Sequence, residues 1–155
     1  MTIATFAAGC FWGVEEKFRE VTGVTSTRVG YSGGTTDDPD YKQVCTGITN
    51  HAEVIEVTFD PDIVSFESLL GVFWKMHNPT TLNRQGSDIG TQYRSAIFYH
   101  DEQQHQQAEL VKKALDKAHI FPSPIVTEIT AASTFYPAEE YHQCYLEKKS
   151  LGSCH

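Results

Sequence analysis

The amino-acid sequence predicts an α+β protein, built as a two-layer sandwich in which helices pack on a mixed or antiparallel sheet. Two observations predict this class. Segments with strand-like and helix-like hydrophobic patterns follow one another in the order β-α-β-β-α-β-α-β, and no segment is repeated. The chain has 155 residues, 40% of them hydrophobic, which is enough to bury one core, so a single domain spanning residues 1–155 is expected. Within this class we expect a ferredoxin-like core.

The first strand and the first helix meet at Cys10. Residues 2–8 are small, β-branched and apolar, which predicts a short buried strand. A helix ending near Gly23 is predicted next, because apolar side chains recur at helical spacing, namely Phe11, Val14, Phe18 and Val21. The first amides of a helix lack internal partners and carry the positive end of its dipole. We therefore expect Cys10 to be stabilised as a thiolate, with a lowered pKa.

Two neighbours of Cys10 favour a functional interpretation. Gly9 allows a tight backbone turn at this point. Trp12 lies about 100° around the helix from Phe11, outside the apolar stripe, and is expected to line a pocket beside the thiolate. The alternative is a small buried cysteine at a helix start, with the tryptophan covering surface.

A second strand and a long loop follow. Residues 24–29 predict a strand, and the turn-forming composition of residues 30–40 predicts a loop. Loops of this length inside compact domains are usually functional or mobile. The loop leads to Tyr41 and to Cys45, and Cys45 is expected to be a packed, inert thiol.

The next strand places an acidic residue among apolar ones. Alternation along residues 52–59 puts Glu53 on the same face as three apolar side chains, Ile55, Val57 and Phe59. Apolar surroundings disfavour the anion, so the pKa of Glu53 should rise and the carboxyl can keep a proton near neutral pH. A general acid needs this property. If the strand frays at its start, Glu53 is instead solvated.

The middle of the chain predicts a capped helix and a polar loop. Ser65 caps a helix that carries Trp74 in its apolar stripe, so Trp74 is assigned to the core. Residues 83–94 form a polar loop punctuated by glycine. Since binding residues concentrate on loops held by a scaffold, Asp88 and Tyr93 are candidates.

The last third of the chain predicts a strand at residues 95–99 and a long helix that begins at Asp101. This helix packs through four apolar side chains, Ala108, Val111, Leu115 and Ala118. Its glutamine run and His105 are expected on the solvated face. A strand at residues 125–130 and a final helix at residues 137–149 complete the prediction.

Composition and charge exclude several partner classes. The formal net charge is -8, so nucleic acid and anionic membrane surfaces would be repelled. No apolar run approaches the roughly 20 residues of a membrane span, and the first residues carry no basic signal region. We therefore expect a cytoplasmic protein that is not exported. A monomer is expected because the pattern shows no long exposed apolar face.

The four cysteines are too few and too far apart for a disulfide framework and are expected to be thiols with separate roles; they are Cys10, Cys45, Cys144 and Cys154. The tail from about residue 148 is short and polar and contains glycine, so it is expected to be mobile. Cys154 can then reach another sulfur without moving a folded element. Cys144, in the predicted last helix, is either a half-buried structural thiol or a redox partner.

Several kinds of cysteine chemistry compete for this pattern. A phosphatase would need a Cys-x5-Arg loop, which is absent at Cys10 and Cys45, and a cysteine protease would need a histidine, of which only His51 lies next to the other candidates. The ligand types for a zinc site exist, although their spacing matches no common finger, at His142, Cys144, Cys154 and His155. A thiol reductase fits better, because a nucleophilic cysteine, a carboxyl acid and a mobile second cysteine are its parts. A hydrolase or acyl transferase and a binding module stay open.

Six short motifs stand out along the chain. They are GCFWG at residues 9–13, YKQVCTG at 41–47, HAEV at 51–54, DP at 60–61, QGSDIGTQYRS at 85–95 and AEEYHQ at 138–143. In this order, and across nearly the whole chain, they resemble the motifs of the peptide methionine sulfoxide reductases of the A type.

The resemblance implies a role for each matching residue. Cys10 would be the nucleophile that attacks the sulfoxide sulfur. Glu53 would donate a proton to the sulfoxide oxygen, which Tyr41 and Tyr93 would also hydrogen-bond. The resemblance thus implies an oxidoreductase that reduces the S epimer of methionine sulfoxide, free or in peptides.

The resemblance also implies a substrate pocket and a partner. Phe11 and Trp12 would hold the methyl group of the substrate in an apolar pocket, and Asp88 would position the substrate amide or order the site. Members of the family are regenerated by thioredoxin and use no metal or organic cofactor. We take Cys154 as the thiol that forms the disulfide with Cys10.

Two positions depart from the family pattern. Asn50 stands where the family has a glycine before His51; asparagine is the non-glycine residue that best tolerates positive φ, so the turn is expected to survive. Cys144 stands where the family commonly has a residue without a thiol. It is either a second relay thiol that passes the disulfide to thioredoxin or a bystander.

Overall fold

The structure is a computed structural model that describes residues 2–144. Its strands are β1 (Thr2–Ala8), β2 (Val24–Ser32), β3 (Ala52–Phe59), β4 (Arg84–Gln85), β5 (Asp88–Ile89), β6 (Ser95–Tyr99), β7 (Glu128–Ala131) and β8 (Tyr136–Pro137). Its α-helices are α1 (Phe11–Arg19), α2 (Tyr41–Cys45), α3 (Phe66–Met76) and α4 (Glu102–Lys117), and two 3-10 turns span Thr91–Tyr93 and Glu140–His142.

Six strands form one sheet in the order β7-β6-β1-β3-β2-β8, and β4 and β5 form a separate small hairpin. All neighbours in the six-stranded sheet are antiparallel except β6 and β7, which are parallel. The predicted α+β class and the mixed sheet are therefore confirmed. The central order β6-β1-β3-β2 is antiparallel throughout. The ferredoxin-like core stays a prediction.

The main core lies between the sheet and helices α1, α3 and α4. Phe6 of β1 stacks against Phe18 of α1 and Phe73 of α3, with ring centroids 5.0 and 5.3 Å apart. Trp74 belongs to the same cluster, so its assignment to the core is confirmed. Successive side chains of a strand point to opposite faces, so every second residue of these strands lies on the face of the sheet away from this core. Phe135 packs against a smaller apolar cluster on that face.

The topology brings the end of β1 beside the beginning of β3. The two strands are antiparallel neighbours, with Phe6 opposite Ile55. Cys10 follows β1 by two residues, and Glu53 is the second residue of β3. These two residues therefore lie at the same edge of the sheet, because antiparallel strands run in opposite directions.

The predicted helix caps are confirmed. The Ser65 hydroxyl accepts a hydrogen bond from the Ser68 N–H (3.0 Å), and the Asp101 carboxylate accepts one from the Gln104 N–H (2.8 Å). Each cap satisfies an amide that has no partner within its own helix.

Several elements differ from the prediction, and one of them is α1, which ends at Arg19 rather than near Gly23. β2 continues to Ser32 instead of ending at Val29, because residues 30–32 pair with residues 52–54 of β3. β7 begins at Glu128 rather than at residue 125, since pairing with β6 starts there. The helix α2 was not predicted; a capping box at its start compensates for its short length.

The polar face predicted for α4 is wrong at its first turn. Gln104 is buried, accepts a hydrogen bond from the His100 N–H and donates one to the Ile3 carbonyl. His105 is half-buried and stacks on Tyr99, with ring centroids 4.2 Å apart. The first turn lies over the ends of β1 and β6, so polar side chains there serve backbone groups.

The helix predicted from residue 137 is wrong as far as residue 144. Its first residue, Pro137, ends β8, which pairs with β2, and a 3-10 turn follows at Glu140–His142. The Gln143 side chain then bonds both the N–H and the carbonyl of Val29, and Cys144 has a φ of 51°. These hydrogen bonds to β2 take the place of the backbone hydrogen bonds of a helix. The tail predicted to be mobile lies outside the described residues.

None of the helices within residues 2–144 is long and apolar enough to cross a membrane.

Candidate active site

Cys10 is the N-cap residue of α1, as the sequence predicts. Gly9 precedes it with a φ of 99°, and a Cβ atom there would come within 2.8 Å of the Cγ atom of Gln85. Only glycine fits this turn, because both the backbone conformation and the contact exclude a side chain. Cys10 is disulfide-bonded in the structure, whereas Cys45 and Cys144 form no disulfide. Cys154, the predicted partner, lies outside the described residues.

Glu53 is buried beside Cys10. Its side chain is on the same face of β3 as Ile55, and the residue is only 2% exposed. Its Oε1 atom accepts a hydrogen bond from the N–H of Phe11, the residue that follows Cys10 (3.2 Å). Its Oε2 atom has no hydrogen-bond partner among residues 2–144. The carboxyl is thus fixed at one oxygen and available at the other.

Burial raises the pKa of Glu53 from its ordinary value of 4.5 to about 8. The hydrogen bond from Phe11 opposes this rise, and the negative charge of Asp88 adds to it. At neutral pH the carboxyl therefore keeps its proton. The solvated alternative for Glu53 is wrong, because the residue is buried and the beginning of β3 is paired with β2, where Tyr31 lies opposite Glu53, rather than frayed.

Two tyrosine hydroxyls belong to the same group of residues. Burial raises the pKa of Tyr93 to about 12, and the charge of Glu53 adds to that rise. The pKa of Tyr41 is also raised, first by burial, then by a hydrogen bond with the Cys45 thiol and by the charge of Glu53. Both hydroxyls stay protonated near neutral pH, so both are hydrogen-bond donors.

Asp88 lies at the small β4–β5 hairpin, paired with Gln85. It is half-buried, and its charge raises the pKa values of Glu53 and Tyr93. The structure thus brings Asp88 near these two groups. Its predicted part in holding the substrate amide stays a prediction.

Arg94 ties together the loops that carry the site. Its buried guanidinium donates hydrogen bonds to the carbonyls of Asn50, Thr91 and Gly33. Thr91 begins the turn that ends in Tyr93, and the turn at Asn50 precedes β3. The prediction that Asn50 adopts positive φ is confirmed, with a value of 57°. Sequence reasoning missed Arg94, because two of these carbonyls, those of Asn50 and Gly33, are distant in the chain.

Phe11 and Trp12 differ in their exposure to solvent. Phe11 is 1% exposed and packs against Tyr31, with ring centroids 5.8 Å apart. Trp12 is partly exposed, and its indole N–H donates a hydrogen bond to the Nδ1 atom of His142 (3.0 Å). Trp12 therefore lies off the core stripe, as predicted, and its ring is held in place.

His142 and Glu139 are site residues that the sequence did not single out for this role. His142 is buried among aromatic rings, 4.6 Å from that of Tyr41, and burial lowers its pKa, so it is neutral and accepts from Trp12. Glu139 accepts hydrogen bonds from the Tyr31 hydroxyl (3.0 Å) and the Tyr41 N–H (3.2 Å). The motif AEEYHQ at residues 138–143, which contains both residues, was the sequence feature that could have indicated them.

The other cysteines have different surroundings. Cys45 is an exposed residue at the end of α2, so the prediction of a packed thiol is wrong. Partial burial still raises its pKa, although the hydrogen bond with Tyr41 opposes this, so it is a weak nucleophile. Cys144 is partly buried, and its thiol and its N–H both face Glu15.

In the described part of the chain, no group of three or more His, Cys, Asp or Glu side chains is arranged to hold a metal ion. Of the four ligands considered for zinc, His142 bonds Trp12 and Cys144 faces Glu15. The other two, Cys154 and His155, lie outside the described residues.

A thiol at a helix start, next to a buried carboxyl that keeps its proton, is characteristic of thiol-dependent enzymes. The sulfur can attack, and the carboxyl can protonate the group that is attacked. The comparisons with known proteins narrow this class.

A family model described as peptide methionine sulfoxide reductase matches residues 2–155. The chain is 59% identical over 152 residues to peptide methionine sulfoxide reductase MsrA of Methanothermobacter thermautotrophicus, covering 98% of this chain and 90% of that protein. It is 54% identical over 155 residues to MsrA of Acidobacterium capsulatum, covering 100% and 99%.

Solved structures agree with this result. Reduced Mxr1 from Saccharomyces cerevisiae is similar with a TM-score of 0.90 and 38% identity, covering 98% of this chain and 87% of that one. Methionine sulfoxide reductase A of Corynebacterium diphtheriae has a TM-score of 0.87 and 41% identity, covering 98% and 76%. Mxr1 in complex with Trx2 has a TM-score of 0.65 and 24% identity, covering 93% and 84%, which supports the fold alone. The chain therefore belongs to the peptide methionine sulfoxide reductase family, a family of oxidoreductases.

The raised pKa of Glu53 predicts a pH-dependent loss of stability. An unfolded glutamate ionises near its ordinary pKa of 4.5, while the folded protein keeps the proton up to about pH 8. Rising pH therefore favours the unfolded state across that window. Relative to Glu53→Gln, we expect the free energy of unfolding to fall by roughly 1.4 kcal/mol per pH unit between about pH 5 and pH 8.

Urea unfolding of the disulfide form, in which Cys10 does not titrate, measures this difference. Glu56→Gln is the matched control, because Glu56 lies on the same strand with its carboxylate beside the exposed Arg28 (2.9 Å). A wild-type curve parallel to that of Glu53→Gln from pH 5 to pH 8 contradicts the assignment.

Proposed function

We propose that this chain reduces the S epimer of methionine sulfoxide, free or in peptides, to methionine, and that thioredoxin then regenerates it. Membership of the family supports the reaction class. The observation that carries the proposal is the buried, protonated carboxyl of Glu53, bonded to the amide that follows Cys10. A sulfoxide oxygen leaves sulfur only when it is protonated, and this carboxyl holds the proton.

In the first step the Cys10 thiolate, stabilised by the amides at the start of α1, attacks the sulfoxide sulfur. Glu53 gives its proton to the sulfoxide oxygen, and the hydroxyls of Tyr41 and Tyr93 hydrogen-bond the same oxygen. The attack forms a bond between the two sulfurs; this bond and the sulfur–oxygen bond of the substrate then break as the protonated oxygen passes to the Cys10 sulfur, and methionine leaves. Cys10 is oxidised by two electrons to a sulfenic acid, and the sulfoxide is reduced by two.

In the second step the Cys154 thiol attacks the Cys10 sulfenic acid. A sulfur–sulfur bond forms, the sulfur–oxygen bond breaks, and water leaves. This assignment is supported by the fact that Cys10 is disulfide-bonded while Cys45 and Cys144 form no disulfide. Cys144, as a second relay thiol, remains the alternative.

In the third step a dithiol reductant supplies two electrons and two protons to the disulfide. Thioredoxin is a protein of this chemistry. Mxr1, which in its reduced form is 38% identical to this chain, has also been solved in complex with Trx2, and this property of a relative supports thioredoxin as the partner. The proposed cycle needs sulfur, a proton donor and this reductant, and calls for no metal or organic cofactor.

The substrate is recognised through its two small groups. Trp12, fixed by His142, faces the apolar methyl group, and the buried Phe11 forms the base of that pocket. Glu53 and the two tyrosines take the oxygen. A sulfoxide sulfur is chiral, so one epimer alone can present both groups correctly to Cys10. Asp88, near Glu53 and Tyr93, orders this polar side of the site.

The acidic sequence and the thiol chemistry suggest the setting. We propose that the protein acts as a monomer in the cytoplasm, where thiols are kept reduced between cycles.

Counting free thiols before and after addition of methionine sulfoxide tests the function. We expect one methionine released and two thiols lost per reduced protein in the absence of a reductant. A hydrolase or acyl transferase would give an acyl-enzyme burst with no thiol loss, and a binding module would take up sulfoxide without releasing methionine. Either result contradicts the proposal.

Two single substitutions separate the cysteine roles. Cys154→Ser should still form one equivalent of methionine but lose thioredoxin-driven cycling, because the sulfenic acid then has no resolving thiol. Cys144→Ser is the matched control and should keep cycling within about twofold, since Cys144 lies outside the proposed Cys10–Cys154 disulfide. Steady-state methionine formation with thioredoxin measures both. Sustained cycling by Cys154→Ser would transfer the resolving role to Cys144.

A further inference from the structure

A buried carboxyl on α1 has no part in the chemistry proposed above. Glu15 is only 1% exposed and lies five residues after Cys10 on the helix that Cys10 begins. Burying an acidic side chain costs free energy unless its oxygens are hydrogen-bonded. Its contacts therefore indicate what it does.

Both oxygens of Glu15 have partners, on two different parts of the chain. Oε1 accepts a hydrogen bond from the backbone N–H of Cys144 at 2.7 Å. Oε2 accepts one from the Thr27 hydroxyl of β2 at 2.8 Å and one from the Cys144 thiol at 3.9 Å. Thr27 braces the carboxyl against the sheet, and the other oxygen fixes the backbone at Cys144.

The residue before Cys144 is fixed as well. The Gln143 amide bonds the N–H and the carbonyl of Val29 (2.9 and 2.8 Å) and the carbonyl of Ala138 (3.0 Å). Cys144 itself has a φ of 51°, a conformation that needs support in a non-glycine residue. Gln143 and Cys144 are thus held in place by hydrogen bonds, although they belong to no helix or strand.

We propose that Glu15 is a positioning residue for disulfide formation: it anchors the backbone at Cys144 and so fixes the start of the ten-residue segment that leads to Cys154. The anchor lies five residues along α1 from Cys10, about 7.5 Å along the helix axis. A tether that starts close to its target raises the effective concentration of the tethered group. The inference rests on the proposed function, in which Cys154 resolves the Cys10 sulfenic acid.

The anchor also gives Cys144 a purpose that needs no redox chemistry. The contact that holds the chain uses its backbone N–H, which serine retains in Cys144→Ser. Normal cycling by Cys144→Ser and slower disulfide formation on removal of Glu15 are therefore compatible.

Glu15→Met tests the anchor, because methionine has a similar length but accepts no strong hydrogen bond. In a rapid-quench single turnover, we expect methionine formation within about twofold of wild type and disulfide formation slower by about fivefold or more. Dimedone trapping should show a correspondingly longer-lived Cys10 sulfenic acid. Glu15→Gln should restore the wild-type rate, since its amide oxygen still accepts from Cys144.

Thr27→Val is the matched control: it removes the other hydrogen bond of the same carboxyl and should leave both steps unchanged. If Glu15→Met does not fold, Glu15→Asp withdraws the oxygens by one carbon and should give the same selective slowing. Wild-type disulfide formation in the variant that folds, or equal slowing of both steps, overturns the inference. If wild type releases methionine without losing thiols, it is the proposed function that fails.

Discussion

The hydrogen bond between the Phe11 N–H and Glu53 is the contact on which the site depends. It joins the first turn of α1 to the beginning of β3, so the residue that carries the sulfur and the residue that carries the proton cannot move apart. Two effects oppose each other in the carboxyl. The helix start favours its anion, and burial favours its neutral form. Burial has the larger effect, and the pKa of Glu53 is therefore raised to about 8.

The sheet explains why this contact forms. β1 and β3 are antiparallel, so the chain leaves β1 where it enters β3, and Gly9 turns it into α1 within two residues. Around this edge, Arg94 fixes the turns at Asn50 and Thr91, and His142 fixes the Trp12 ring. The side chains that meet the substrate are thus held by partners that do not meet it. Such support is what a preorganised site requires.

Local pattern predicted the elements that depend on local physics. The strand β3, the caps at Ser65 and Asp101 and the positive φ of Asn50 follow from alternation, side-chain hydrogen bonding and backbone preference. The prediction of a final helix failed because the Gln143 side chain bonds Val29, more than a hundred positions earlier in the chain. Hydrophobic periodicity does not indicate such a contact. His142 and Arg94 were missed for the same reason. Their roles come from partners brought together by the sheet, which a single sequence does not show.

The rate of methionine formation in a single turnover, measured against pH for wild type and Glu53→Gln, tests the central claim most directly. A protonated Glu53 beside the Cys10 thiolate predicts a wild-type rate that falls above about pH 8, as the carboxyl loses its proton. It predicts a variant slower by about 100-fold or more, without that fall, since glutamine donates no proton. A variant that matches wild type, or a wild-type rate that stays constant through pH 9.5, contradicts the account.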